Sequence, residues 1–296
     1  MRVAAAAYPL EWHDTLTSLH AKLRRWLEDA AGKGAHIVVF PEYAAMELAP
    51  LAGPAVAGDL QASIDAVTER LPALDGWLAE QARALNLLIC AGTAPVRDAD
   101  GQARNRARLF APNGQQATQD KLILTRYERE TWQLSPGTNL SLFATPLGRI
   151  GVLTCYDAEF PQLARALIDA GAEILLVPSA TEAASGYARV RIGAMARALE
   201  SQCVSVLAPL VGEAAWSPAV DVSYGRAGLY GPPDSGFPAD GILAESTLNA
   251  PGWVMADIDP AAIAHVRQNG QVLNWLHWRE QDARLGTVDV VSFGER

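Results

Sequence analysis

The sequence predicts an α/β protein in which two β-sheets pack on each other with helices outside. Short β-branched runs alternate with amphipathic helical stretches. The order β-α-β-α-β occurs twice, once over residues 2–92 and again over 149–208. Between these halves, Asn113-Gly114 joins two strand-like runs as a hairpin turn. A sheet covered by helices on one face must bury the other, and a second sheet of the same kind can cover it.

The elements follow in order. Residues 2–7 read as a strand. The apolar stretch runs on into Glu11-Trp12-His13-Asp14 with no cleavage site, so it is not read as a signal peptide. Residues 15–32 form a helix with Leu16, Leu19, Leu23, Trp26 and Leu27 at three- and four-residue spacings. HIVVF (36–40) is a strand buried on both faces. Residues 59–85 are mostly helical, with a break expected near Pro72, and LLICAG (87–92) is a third strand. In the second half, strands 149–155, 173–177 and 203–208 alternate with helices 160–170 and 187–201. Residues 209–251 are rich in Gly, Pro and Ser and too long for an idle connection, so a functional role is expected. A last strand covers 252–258, and Trp275, Leu276 and Trp278 follow without an evident core role. No linker or low-complexity tract divides the chain, so residues 1–296 read as one domain.

Composition sets limits. The 296 residues carry 24 Lys and Arg against 33 Asp and Glu, a formal charge of −9, which argues against nucleic acid or anionic membrane as a main partner. Half the residues are hydrophobic and 19% are charged, which excludes disorder. No apolar run approaches the ~18 residues of a membrane span. The three cysteines, at 90, 155 and 203, are too few and scattered for a disulfide framework or zinc site, and a reducing cytoplasm is expected.

Three residues stand at strand ends. Cys155 closes RIGVLTC ahead of a helix that Pro161 begins, where the positive end of the helix dipole favours a thiolate nucleophile; the alternative is apolar packing. Cys90 and Cys203 lie inside apolar strands and read as core. None of the five histidines has a distinctive setting, which leaves a Cys–His pairing open but unsupported. Glu42 emerges from HIVVF in Pro41-Glu42-Tyr43, where partial desolvation would raise its pKa and suit it to act as a base; the alternative is an ordinary solvated acid. Lys121 follows the second hairpin strand, with Glu128 seven residues on; it is either a buried oxyanion donor or a surface lysine.

Taken together, FPEY, DKLILTRYERE and LTCYDAEFP, in that order, resemble the nitrilase superfamily of carbon–nitrogen hydrolases over nearly the whole chain. The resemblance implies a four-layer αββα sandwich with Glu42 as general base, Lys121 as oxyanion donor and Cys155 as nucleophile. Glu128 matches the second glutamate of many members, and Glu130 is a rival for that role. Tyr156 and Ala180 are expected to line the substrate pocket through backbone groups, with Arg189 or Arg191 helping to shape it. No metal or organic cofactor is implied.

Nitrilases of the family usually carry Trp after the nucleophile. Tyr156-Asp157 here favours an amidase that converts a small carboxamide to acid and ammonia through a thioester. A nitrilase, or a catalytically silent binding or scaffold protein of the same fold, is the alternative. Some members with a KLxxTxxERE motif are fused to an acetyltransferase, for which this chain has no room. Members commonly form homodimers through helices beside the site, and residues 259–296 are expected to act as an oligomerisation extension.

Overall fold

The computed structural model describes residues 1–294. Its first half runs β1 (Arg2–Ala7), α1 (Leu16–Gly32), β2 (Ile37–Val39), the single turn α2 (Pro54–Ala57), α3 (Leu60–Leu85), β3 (Leu88–Arg97), β4 (Ala103–Phe110), β5 (Gln116–Asp120) and the short α4 (Arg126–Glu130). The second continues through β6 (Leu142–Thr145), β7 (Gly148–Val152), α5 (Pro161–Asp169), β8 (Ile174–Ser179), α6 (Ala184–Ser201) and β9 (Val204–Pro209). Four short strands, β10 (Gly212–Glu213), β11 (Val222–Ser223), β12 (Gly228–Tyr230) and β13 (Ile242–Glu245), give order to the expected irregular stretch. β14 (Gly252–Asp257), α7 (Pro260–Asn269) and the single turn α8 (Asn274–His277) follow.

Two six-stranded sheets result, in the orders β14-β1-β2-β3-β4-β5 and β13-β12-β9-β8-β7-β6. Each has three parallel central strands, β1-β2-β3 or β7-β8-β9, flanked by antiparallel neighbours. Side chains alternate across each strand and sort the core into layers. Val3, Ala5, Ile37, Val39 and Cys90 face Ile150, Val152, Ile174, Leu176 and Val206 between the sheets. On the other face of the first sheet, Ala4, Ala6, Val38 and Phe40 pack with Leu19, Leu23 and Leu27 of α1 and Ile64, Val67 and Leu71 of α3. Leu153, Leu175 and Val177 do the same with α5 and α6. The layers are helix, sheet, sheet, helix: the αββα sandwich.

Two local expectations are corrected. Helix α3 continues through Pro72 without a break, because Leu71, Leu74 and Leu78 stay buried on one face and their packing outweighs the lost backbone hydrogen bond. Trp275 and Trp278, which show no evident core role in the sequence, are partly buried. The Arg267 guanidinium stacks on Trp275 and Arg165 on Trp278. Helix α7 also buries Ile263 and Val266 in the fold, so residues 260–269 are part of the body of the protein.

Candidate active site

Strand ends from both sheets deliver polar side chains to one place. β2 stops at Val39, and Phe40-Pro41 carries the chain over the sheet edge to Glu42. β5 stops at Asp120, just before Lys121. Past the ends of β7 and β8, in the other sheet, lie Cys155 and Ala180.

Lys121 is the centre of the cluster. Its Nζ lies 2.8 Å from Glu42 Oε1 and 2.8 Å from each carboxylate oxygen of Glu128, and all three residues are buried. Asn105 donates from Nδ2 to Glu42 Oε1 at 2.8 Å and to Glu128 Oε1 at 3.2 Å. Those acceptors fix the amide orientation, since a reversed Asn105 would set its oxygen against two carboxylates. The Tyr43 hydroxyl donates to Glu128 Oε1, while Thr125 gives Glu128 Oε2 its N–H at 2.8 Å and its hydroxyl at 2.9 Å. Glu42 Oε2 accepts the Ala180 N–H at 2.9 Å.

The two carboxylates titrate apart. Burial pushes the Glu42 pKa up, the Lys121 ammonium offsets this only in part, and the charge of Glu128 adds to the rise. Burial also works against Glu128, but the Lys121 ammonium, the Tyr43 hydroxyl and the Thr125 N–H together hold it below the ordinary carboxylate range. Burial would lower Lys121, yet Glu128 and Glu42 outweigh it and keep the ammonium charged. Of the two carboxylates, Glu42 therefore takes up a proton more readily and Glu128 stays ionised to lower pH.

Cys155 sits differently from the expectation. β7 ends three residues before it, and the 3-10 turn Cys155–Glu159 separates it from α5, so it is not at that helix's N-terminus. Its φ of 50° lies in the left-handed region, which costs strain for a residue with a Cβ and marks a turn held by its surroundings. Burial and the Glu42 charge push the thiol pKa up, so the resting group is a neutral thiol rather than a thiolate. Its Sγ lies 3.4 Å from the Ser179 hydroxyl, which donates to it, and 3.7 Å from the Ala180 carbonyl oxygen, to which the thiol donates.

Close packing holds these loops. A Cβ on Gly92, whose φ is +67°, would lie 1.8 Å from the Pro41 carbonyl oxygen, so only glycine lets the bulge in β3 support the turn that carries Glu42. A Cβ on Gly193 would lie 2.9 Å from the Ala158 carbonyl oxygen, so α6 reaches the Cys155 turn only because this residue is glycine. Asp157 ties the Cys155 turn to the lysine segment, accepting Ile123 N–H at 2.7 Å and Leu122 N–H at 3.2 Å.

A cavity of about 300 Å³ opens over this floor. Glu42, Lys121, Glu128 and Cys155 all line it, as do Tyr156, Ala180 and Arg189. Residues 218–223, from the stretch expected to be functional, close one side. Glu130 does not reach the cavity: its side chain is 60% exposed and pairs with Arg126 at 2.7 Å. Two residues of helix turn it about 200° from the inward-facing Glu128. Arg191 also points elsewhere, onto Glu245 at 2.6 Å.

Sequence reasoning missed Tyr43, Asn105, Thr125, Asp157 and Ser179. Thr125 was readable, because T-x-x-E is a capping box and Thr125 and Glu128 form one here. Asn105 lies within a strand and carries no local signal. Among the described residues, no group of three or more His, Cys, Asp or Glu side chains is placed to hold a metal ion, and no helix is long and apolar enough to cross a membrane.

Comparison with known proteins gives a consistent picture. The family model described as carbon-nitrogen hydrolase matches residues 2–268. A probable hydrolase of Bacillus subtilis, YhcX, is 38% identical over 187 residues, 63% of this chain and 36% of that protein. The chain thus spans about a third of that relative's length. A deaminated glutathione amidase of Synechocystis is 29% identical over 276 residues, 89% of this chain and 94% of its own. The crystal structure of a carbon–nitrogen hydrolase from Helicobacter pylori superposes with a TM-score of 0.77 at 17% identity, covering 96% of each chain.

Proposed function

Because this chain belongs to the carbon–nitrogen hydrolase family, we propose that it is a cysteine-dependent amidase that converts a small carboxamide to a carboxylic acid and ammonia. The observation that carries this reading is the Lys121 ammonium held between Glu42 and Glu128 beside the Cys155 thiol on the floor of one cavity. Glu42 takes the thiol proton as sulfur attacks the amide carbon, so no resting thiolate is required. Protonation weakens the hold of Glu42 on Lys121, and the ammonium turns to the tetrahedral oxyanion; such a donor is worth about 10²–10³ in rate. Glu42 then returns the proton to the leaving nitrogen, ammonia departs and a thioester remains. Water, deprotonated by the same carboxylate, cleaves the thioester to the acid and restores the thiol. Glu128 stays ionised and fixes Lys121 in place. Tyr156 and Ala180 line the acyl side, and Arg189 helps to form the mouth.

Cys155→Ala should abolish ammonia release and leave the melting temperature within a few degrees of wild type; turnover retained in this variant would eliminate the reading. Hydrolysis of nitriles but not of the matching amides would make it a nitrilase instead. Residues 1–296 would act as one catalytic domain that dimerises, and the three unpaired cysteines suit a reducing cytoplasm.

A further inference from the structure

The walls of the cavity carry charge that the proposed chemistry does not use. Beyond Glu42, Lys121 and Glu128, four charged side chains line it: Glu159, Glu182, Arg189 and Asp221. Arg189 faces Glu159, with Nε 3.6 Å from Oε1, so these two offset each other. Glu182 and Asp221 have no cationic partner among the described residues. The Oδ1 of Asp221 accepts only the N–H of its neighbour Val222, at 2.9 Å. Both carboxylates stand near Tyr127, where their charge adds to burial in pushing the phenol pKa up. The Tyr127 hydroxyl in turn donates to the Pro218 carbonyl at 2.9 Å, which anchors residues 218–223 over the cavity. Deeper in, the two carboxylates around Lys121 leave the floor negative as well.

The unpaired charges lining this site are therefore negative from floor to mouth, with Glu182 and Asp221 exposed to solvent at the rim, and a concave site concentrates the field of such charges. A carboxylate on the far end of a substrate would meet this field unfavourably, since Arg189, the one guanidinium lining the cavity among the described residues, already faces Glu159. A cation would meet two unpaired acceptors.

We propose that the preferred substrate is a primary amide whose end remote from the scissile bond carries an ammonium or guanidinium group, held by Glu182 and Asp221. The proposal rests on the amidase reading for the reacting end and on the charge of the mouth for the other. It departs from what net charge alone allows, because it depends on where two carboxylates stand.

The experiment compares kcat/KM, read as ammonia release, for primary amides of matched length ending in ammonium, methyl or carboxylate. The ammonium amide should exceed the methyl amide by about tenfold and the carboxylate amide should fall below it. About 0.5 M NaCl, or the double variant Glu182→Gln/Asp221→Asn, should shrink the advantage several-fold. Equal rates for the three amides, or a preference for the carboxylate, would overturn the proposal while leaving the amidase reading intact. A second measurement needs no turnover: alkylation of Cys155 by 2-bromoethylammonium and by iodoacetate, followed by mass spectrometry. The ratio of the two rates should fall in the double variant, and an unchanged ratio would overturn the proposal. If none of the amides is hydrolysed yet the alkylation ratio falls, the amidase reading fails and the cation-selective mouth stands.

Discussion

At the scale of single residues, burial decides most of the chemistry. Glu42 and Glu128 share one ammonium and differ only in their other partners, yet one is pushed up and the other down. Asp157 is a third buried carboxyl, and burial, opposed by the Ile123 and Leu122 N–H groups and the Lys121 ammonium, raises it from 3.8 to about 7. Between those values the folded state binds a proton that the unfolded chain has released. The contribution of Asp157 to stability is therefore greatest below the lower value and declines as pH rises through about 7. Asp157→Asn, neutral at every pH, should flatten the melting temperature between pH 4 and 7 relative to wild type, with a differential on the order of a few kcal/mol. Parallel melting curves across that range would remove this account of Asp157.

Among the elements, the smallest are the most informative. Helix α4 has five residues and almost no stability of its own, so its N-cap matters. Thr125 accepts the Glu128 N–H at 3.3 Å and hydrogen-bonds the same residue's carboxylate, so one cap both starts the helix and aims a site glutamate. Thr125→Ala should cost about 1 kcal/mol in chemical denaturation, and Thr125→Ser should recover most of it. The periodicity of α1 and the apolar runs of β1, β2, β8 and β9 were legible because local pattern and burial agree. Pro72 was misread because a proline signal is local, whereas the packing of Leu71, Leu74 and Leu78 is not. Cys155 was misplaced for a related reason: the sequence does not reveal the 3-10 turn inserted between β7 and α5.

At the scale of the whole molecule, helix α6 has two jobs. Its inner face packs on the Cys155 turn through Gly193. Its outer face exposes Ile192 (63%) and Leu199 (44%), seven residues apart and hence on one side. The C-terminal residues Val288, Val290 and Phe293 are also exposed. Apolar surface of this kind suits the dimer proposed above. Sedimentation should show a dimer for the wild type and a monomer for Ile192→Glu/Leu199→Glu. A wild-type monomer at micromolar concentration would remove the dimer.

Sequence by itself determined the alternation of strands and helices, the two-sheet architecture, and three motifs that resemble one family, because each is written in contiguous residues. Tertiary structure alone decided that Glu128 and not Glu130 meets Lys121, that Asn105 bridges two carboxylates from within a strand, that the Cys155 thiol rests protonated, and that two unpaired acids stand at the cavity mouth. Those facts depend on distance and solvent exclusion between segments far apart in the chain, and electrostatic energies follow separation in space rather than position in sequence.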